Sequence, residues 1–414
     1  MKFKKYIGLI ENFISLSLFK VVDAIIPLII IPYLISVVGK DNYGIYAFAY
    51  ALIFYLINIV QYGFSLSAVR LIAVNKDDKN KLNKIYSDVF TTQLYLSIVV
   101  FVILFLLVFF VNKFKDNYLV YVFFTLLILG ELLSPLWFFL GIEKMKFITL
   151  INLASKSTFA ILVFLLVKTE SDFVYISLYQ SSGFIVAGII TQFIIFRVFK
   201  VKLSLSPLKD VFAMLKHGLS AFLTMVTPTL YSNTSIFLVG VFGIPQYVTY
   251  MEIGSKVSGA FGVLNTVLTS VFYPFINRNK NVIERIKYFF VGLGLLLSLC
   301  MFFLSEFLIG LWLPEPSPEI IHVVKLLSPS PFLVSIISTF GVNGLMVYNQ
   351  DKIYLKTIAI GSVCGLITGL ILIPKYFYIG GAIAIILARS VKAVLSYTYN
   401  RRMMKTINIE EHEI

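Results

Sequence analysis

The first long apolar segment of the chain reads Ser15-Leu-Ser-Leu-Phe-Lys20-Val-Val-Asp23-Ala-Ile-Ile-Pro27-Leu-Ile-Ile-Ile-Pro32. It is hydrophobic enough to cross a bilayer, yet it carries Lys20 and Asp23. An ionisable side chain inside a membrane span costs about 2.5–3.5 kcal/mol on insertion scales, so it normally faces a helix bundle or a wet cavity. Pro27 and Pro32 each remove a backbone hydrogen bond and favour a kink. A kinked and charged first span is typical of a transport element.

The composition indicates the class of protein. Of the 414 residues, 59% are hydrophobic and 14% are charged, and the mean hydropathy is +0.90. Globular proteins are about 45–50% apolar and about 25% charged. We therefore predict an all-α polytopic membrane protein. Cys300 and Cys364 lie in apolar runs without metal-ligand spacing, and no Walker A sequence is present, so we expect no metal, no cofactor and no enzymatic activity.

The number of spans follows from the need for about 20 apolar residues in each. This rule predicts twelve membrane-spanning helices, and no interval between them is long enough for a soluble domain. The predicted spans cover residues 13–37, 44–69, 90–111, 118–141, 148–167, 174–197, 217–242, 248–275, 288–312, 322–348, 356–374 and 380–402.

The basic residues outside the spans predict the orientation. Counted with the N-terminus inside, 24 Lys and Arg fall on one side and five on the other. Short cytoplasmic loops carry the excess of Lys and Arg. Both termini are therefore predicted to be cytoplasmic, and the net charge of +14 is explained by topology rather than by nucleic-acid binding.

A short repeat divides the chain. Gly39-Lys-Asp-Asn-Tyr43-Gly-Ile-Tyr46 follows the first predicted span, and Gly243-Ile-Pro-Gln-Tyr247-Val-Thr-Tyr250 follows the seventh. Both have the pattern GxxxYxxY at the outer end of a hairpin. We predict two six-helix lobes of the same orientation, residues 1–203 and 204–414, joined by a basic connector.

Charged residues within the spans are mostly basic. The cations that do not lie at a span end are Lys20, Lys156, Lys256, Arg389 and Lys392, and the acids are Asp23, Glu131 and Glu252. The excess of cations predicts an anionic substrate. The alternative is interhelical or intrahelical ion pairing, and it stays open for Lys20 with Asp23 and for Lys256 with Glu252. The three acids are candidates for coupling to a proton or sodium gradient.

The N-terminal quarter resembles a known family. Asn12-Phe-Ile-Ser-Leu-Ser17, Pro32-Tyr-Leu34, Val38-Gly-Lys-Asp-Asn-Tyr-Gly-Ile-Tyr46 and Gln61-Tyr-Gly-Phe-Ser-Leu-Ser-Ala-Val-Arg70 resemble the signature of Wzx-type polysaccharide flippases, which share a superfamily with MATE exporters and lipid II flippases. The resemblance implies a MATE-like fold in a bacterial inner membrane and transport of an undecaprenyl-diphosphate-linked oligosaccharide to the periplasmic leaflet. The products implied are surface polymers such as O-antigen, lipopolysaccharide or capsule, and a polysaccharide polymerase is a candidate partner.

The resemblance assigns roles to the charged residues by their chemistry. The five cations are predicted to line a cavity that binds the diphosphate, because Lys and Arg are the side chains that bind phosphate. Polar groups expected to contact sugar, or else to form interhelical hydrogen bonds, are Asn58, Gln61, Tyr62, Asn152 and Gln180.

Two other functions compete with the flippase. A MATE-like exporter of small organic cations would have a cavity dominated by acidic residues. A membrane-embedded polymerase or glycosyltransferase would carry a substantial loop with acidic or arginine motifs. The basic inventory of the spans and the short loops favour the flippase over both.

Overall fold

The computed structural model describes the backbone of residues 2–278 and 281–412. It describes the side chains of these residues except at 2–17, 21, 230, 270–271, 274–275, 278, 281–285 and 407–412. Most of the described chain is helical and the described residues contain no strand, which confirms the predicted all-α class.

Sixteen α-helices follow one another within the described residues. They are α1 Lys2–Gln61, α2 Phe64–Asn75, α3 Lys79–Phe110, α4 Asn112–Lys115, α5 Tyr118–Leu133, α6 Leu136–Gly141, α7 Met145–Leu166, α8 Phe173–Phe193, α9 Leu208–Val226, α10 Thr229–Phe242, α11 Pro245–Arg278, α12 Asn281–Phe303, α13 Ser305–Trp312, α14 Pro318–Leu327, α15 Ser330–Ile336 and α16 Asp351–His412. Short π-helical segments cover Ile194–Val198 and Ile337–Leu345.

The two longest helices each contain a break. In α1 the backbone leaves helical geometry at Gly39, with φ 80° and ψ 168°, whereas φ and ψ stay helical at Pro27 and Pro32. Nothing lies within 4 Å of a Cβ added to Gly39, so glycine is needed there for its left-handed φ rather than for space. In α16 the break falls at Phe377, with φ 47° and ψ −119°.

Length and hydropathy identify the helices that can cross a membrane. Within the described residues eight helices qualify, and a ninth span is formed if α9 and Tyr231–Phe242, which meet at a 72° bend, are counted together. Two of the eight cover 58 and 56 residues, Leu18–Asn75 and Asp351–Thr406, more than twice the length that a bilayer needs. The chain is thus a multi-pass membrane protein, and the exact count of twelve stays a prediction.

The chain forms two compact units, Met1–Val226 and Thr227–Ile414. Helix α9 belongs to the first unit, where it contacts α2 and α3. The repeat motif makes the same local contact in each unit, because the rings of Tyr43 and Tyr46 lie 5.8 Å apart and those of Tyr247 and Tyr250 lie 6.2 Å apart. The boundary of the duplicated lobes at 203/204 stays a prediction.

Small residues allow the helices of the first unit to approach closely. A Cβ on Gly130 of α5 would meet the backbone of Phe184 in α8, at 2.6 Å from its carbonyl carbon. A Cβ on Gly183 would collide with the carbonyl oxygen of Ser155 in α7. Close approach of backbones is the usual basis of helix association in a membrane. It brings α5, α7 and α8 together and so positions the polar residues that they carry.

The connector between α8 and α9 is fixed along α3 by three matched hydrogen bonds. The backbone N–H groups of Lys202, Ser204 and Ser206 donate to the side-chain oxygens of Asn83, Ser87 and Thr91 at 2.9, 3.1 and 3.2 Å, in that order. Four residues of α-helix rise about 6 Å, and two residues of extended chain span about 6.6 Å. The spacing of the acceptors along α3 therefore matches the spacing of the N–H donors along the connector. The Ser206 hydroxyl adds a bond to the buried Asp88 at 2.6 Å.

We expect the double substitution S87A/T91A to release the connector. Each bond contributes about 0.5–1.5 kcal/mol, and loss of the acceptors leaves the N–H groups of Ser204 and Ser206 without these partners. Trypsin should then cleave after Lys200 or Lys202 at least about threefold faster in the purified protein, with a lower melting temperature. The matched control is S204A, which removes an exposed side chain and keeps the backbone donor. Equal cleavage rates in S87A/T91A and in the S204A control would contradict the role of these bonds.

Candidate functional site

Charged side chains within the spans form one cluster in each unit. The first cluster joins α1, α5 and α7. Here the Lys156 ammonium lies 3.2 Å from Oδ1 of Asp23. No acidic residue lies within one turn of Lys156 on α7, so its acidic partner comes from α1. The Lys156 side chain is 18% exposed and that of Asp23 is 54% exposed. Lys20 is half-buried and lies one turn before Asp23 on α1.

Glu131 completes the first cluster. It is half-buried near the C-terminal end of α5, where its Oε2 accepts a hydrogen bond of 3.0 Å from Nε2 of Gln61. It also lies within electrostatic reach of Lys156. The two cations and two carboxylates of this cluster balance in formal charge.

One polar group beside this cluster is without a partner. Asn152 lies one turn before Lys156 on α7, and its side-chain nitrogen is buried with no hydrogen-bond partner among the described residues. An unpaired buried donor costs about 1–3 kcal/mol. The first cluster therefore contains one buried amide donor next to its ion pair.

The second cluster joins α10, α11 and α16. Arg389 donates from Nη1 to the Ser258 hydroxyl at 3.1 Å. The Lys392 ammonium lies 3.8 Å from the ring centroid of Tyr231, which is a close cation–π contact. Lys392 is 5% exposed. Both cations lie within electrostatic reach of the Tyr231 hydroxyl.

Two glycines make room for the second cluster. A Cβ on Gly361 would collide with Cγ of Lys392, and a Cβ on Gly365 would lie 2.8 Å from Cβ of Tyr231 and 2.6 Å from Cβ of Ala388. Both distances are too short for real atoms. The glycines lie one turn apart on α16, so the first half of that helix presents a groove into which Lys392 and Tyr231 fit.

The fifth predicted cation makes a local pair. Lys256 lies 3.2 Å from Glu252, one turn earlier on α11, as the spacing in the sequence indicates. The Glu252 side chain is 12% exposed and that of Lys256 is 39% exposed. A role of either residue in substrate binding or ion coupling stays a prediction.

The structure gives several of the predicted sugar contacts a partner within the protein. Asn58 donates to the carbonyl of Phe54 in its own helix at 2.7 Å. Gln180 accepts from the Tyr46 hydroxyl at 2.7 Å. The rings of Tyr62 and Phe222 stack at 4.8 Å. These are contacts within and between helices, and sugar binding by these side chains stays a prediction.

Sequence reasoning missed Tyr231 and Ser258. A tyrosine in an apolar span looks like any packing residue, and a serine looks like any small one. The only available signal was the run of small residues Gly361–Gly369, which indicates close helix packing without naming what packs there.

Comparison with protein families identifies a family that covers most of the chain. The family described as "Polysaccharide biosynthesis protein" matches residues 9–280. Two relatives carry the name "Putative O-antigen transporter". The one from Escherichia coli (strain K12) is 29% identical over 392 residues, which is 92% of this chain and 94% of the relative. The one from Shigella dysenteriae is 25% identical over 386 residues, which is 91% and 96% of the two chains.

Solved structures resemble the fold. The lipid II flippase MurJ in an inward closed conformation matches with a TM-score of 0.73 at 16% identity, over 96% of this chain and 87% of the other. An inward-facing MATE-family multidrug resistance transporter matches with a TM-score of 0.65 at 12% identity, over 95% of each chain. These likenesses confirm the predicted MATE-like membrane fold.

The first cluster predicts a coupling between Asp23 and Lys156. K156M leaves Asp23 and Glu131 without their shared cation and should lower the melting temperature more than D23N, which leaves Lys156 near Glu131. The double variant should be less destabilised than the sum of the two, by about 0.5–3 kcal/mol as for residues in one ion-pair network.

The matched control for this cycle is the pair Lys84 and Asp210, whose charged atoms lie 3.8 Å apart on the surface of the same unit. Exposed pairs contribute about 0.2–1 kcal/mol. Melting of the purified protein in nanodiscs provides the measurement. If the losses of stability in D23N and K156M add up to the loss in the double variant, the contact between Asp23 and Lys156 carries no coupling.

Proposed function

The chain belongs to the polysaccharide biosynthesis protein family, which confirms the resemblance of residues 12–73 to Wzx-type flippases, and we propose that it moves an undecaprenyl-diphosphate-linked oligosaccharide across a bacterial inner membrane. The movement runs from the cytoplasmic to the periplasmic leaflet by alternating access. It supplies units for a surface polysaccharide, and a polymerase is the proposed partner downstream. The relatives named as O-antigen transporters support this proposal.

The second cluster is the observation that carries the proposal. A flippase for such a lipid must bind a diphosphate within the membrane, because its sugar chain cannot cross hydrocarbon unaided. Lys392 offers a buried cation and Arg389 a half-buried one, and among the described residues neither forms an ion pair with an acidic side chain. Arg can bind phosphate oxygens bidentately and Lys acts as a point charge. The cluster therefore fits the charged part of the substrate.

The first cluster is suited to coupling rather than to anion binding. Its carboxylates, Asp23 and Glu131, already share Lys156, so a proton or a sodium ion that binds there competes with the ammonium. Such competition changes the charge of the cluster with ion occupancy. We assign Asp23 and Glu131 to coupling with a proton or sodium gradient and Lys20 and Lys156 to the same network.

A second candidate function is the export of small organic cations. The half-exposed carboxylate of Asp23 favours it, since an acid on the first span is what a cationic substrate needs. The second cluster favours the flippase, because its two cations, Arg389 and Lys392, repel such a substrate. The two functions predict different results for cells that lack the protein: accumulation of the lipid-linked oligosaccharide for the flippase, and greater sensitivity to cationic drugs for the exporter.

The test is a cell that lacks the protein and is complemented with variants. Depletion should accumulate undecaprenyl-diphosphate oligosaccharide on the cytoplasmic face, and R389Q or K392M should restore less than about a tenth of the wild-type flux, because loss of a charged partner costs at least about 1.5 kcal/mol. Mass spectrometry of lipid accessible from each face measures the flux.

The control variant is K209A, which removes an exposed cation of α9 and should restore the wild-type flux. Normal crossing of the lipid in depleted cells, together with greater sensitivity to cationic drugs, would replace the flippase with the exporter.

A further inference from the structure

The two clusters solve the burial of cations in different ways. In the first, Lys156 lies 3.2 Å from a carboxylate, and the formal charges of the cluster cancel. In the second, the partners of Arg389 and Lys392 among the described residues are the Ser258 hydroxyl and the ring and hydroxyl of Tyr231. None of these partners is an acidic residue. The second cluster therefore keeps a formal charge of two.

The Tyr231 ring makes this charge tolerable. A buried ammonium without any partner is costly. The negative face of an aromatic ring stabilises a desolvated cation, and the Lys392 ammonium lies 3.8 Å from the centroid of this ring. A carboxylate at the same place would stabilise the ammonium too, but it would cancel the charge that an anionic ligand needs.

The arrangement is built into the packing of three helices. Gly361 and Gly365 leave the space that Lys392 and Tyr231 occupy, and a side chain at either glycine would displace one of them. Ser258 of α11 engages one nitrogen of Arg389 at 3.1 Å. A guanidinium has five N–H donors, so donors remain for a ligand.

We infer that Tyr231 is a specificity-determining residue, which holds Lys392 and Arg389 as an uncompensated cation pair for the diphosphate of a lipid-linked substrate. The inference rests on the proposed function, since it names the residue that sets the charge of the substrate site. The oxygens of the ligand bind the remaining donors of the two cations while the ring stays against Lys392, and no ion pair has to break. Sites of this charge select dianionic head groups over neutral ones.

The test changes the charge and the ring separately. Y231F keeps the ring, Y231L removes it, and Y231E replaces it with a carboxylate that pairs with the cations. Purified protein in detergent is titrated with farnesyl diphosphate, with farnesol as the neutral analogue and inorganic diphosphate as a competitor. The matched control is Y397L, which removes an exposed ring from α16, the helix that carries Arg389 and Lys392.

The expected order of affinity follows from the charge of the site. Y231F and Y397L should bind farnesyl diphosphate within about threefold of the wild type, Y231L about tenfold more weakly, and Y231E at least about 100-fold more weakly. Y231E should nevertheless melt no lower than Y231L, because its carboxylate pairs with the cations. Inorganic diphosphate should compete, and the affinity of the wild type should fall steeply with salt.

The outcomes separate this inference from the proposed function. Wild-type affinity in Y231E would overturn the role of the Tyr231 ring, and so would equal losses in Y231F and Y231L, which would assign the effect to the hydroxyl. If either outcome appears while R389Q still abolishes binding, the flippase proposal stands and only the inference fails. If the wild type binds farnesol as well as the diphosphate, and R389Q and K392M have no effect, both fail.

Discussion

The cost of holding charge inside a bilayer is the constraint on which the rest of this structure depends. An ionisable residue in a span is kept only where another group compensates its burial. The chain does this with carboxylates around Lys156 and with an aromatic ring and a hydroxyl around Lys392 and Arg389. Each arrangement requires helices to approach closely. Gly183, Gly361 and Gly365 permit this approach, so they determine where the charged groups lie as well as how the helices pack.

The backbone is adapted to the same constraint at its irregular points. Helix α1 stays helical in φ and ψ at both of its prolines and changes direction at Gly39, in the predicted outer hairpin, where the freed backbone groups can meet water. The connector is not helical, and it satisfies three of its N–H groups with side chains of α3. These segments carry few of the charged residues described above. They hold in place the helices that carry those residues.

Sequence reasoning reached the class, the family and the identity of the charged residues, because composition and hydropathy are properties of single segments. It also found the Lys256–Glu252 contact, since both residues lie on one helix at a spacing of four. It could not find the partner of Lys156, because Asp23 lies on a helix more than a hundred residues earlier and no periodicity connects them. Tyr231 escaped for a related reason: an aromatic residue in an apolar span has no sequence feature that separates a cation–π partner from a packing residue.

The difference between the clusters bears on how a flippase releases what it binds. A diphosphate that reaches a cation already paired with a carboxylate has to displace it, and separation of a buried pair costs about 3–5 kcal/mol. A diphosphate that reaches Lys392 meets an ammonium held by a ring, so no ion pair has to be separated. The ring contact is present with and without the ligand, so the ammonium is stabilised in both conditions. A site of this kind binds an anion without a large barrier to exchange, which transport requires and permanent binding does not.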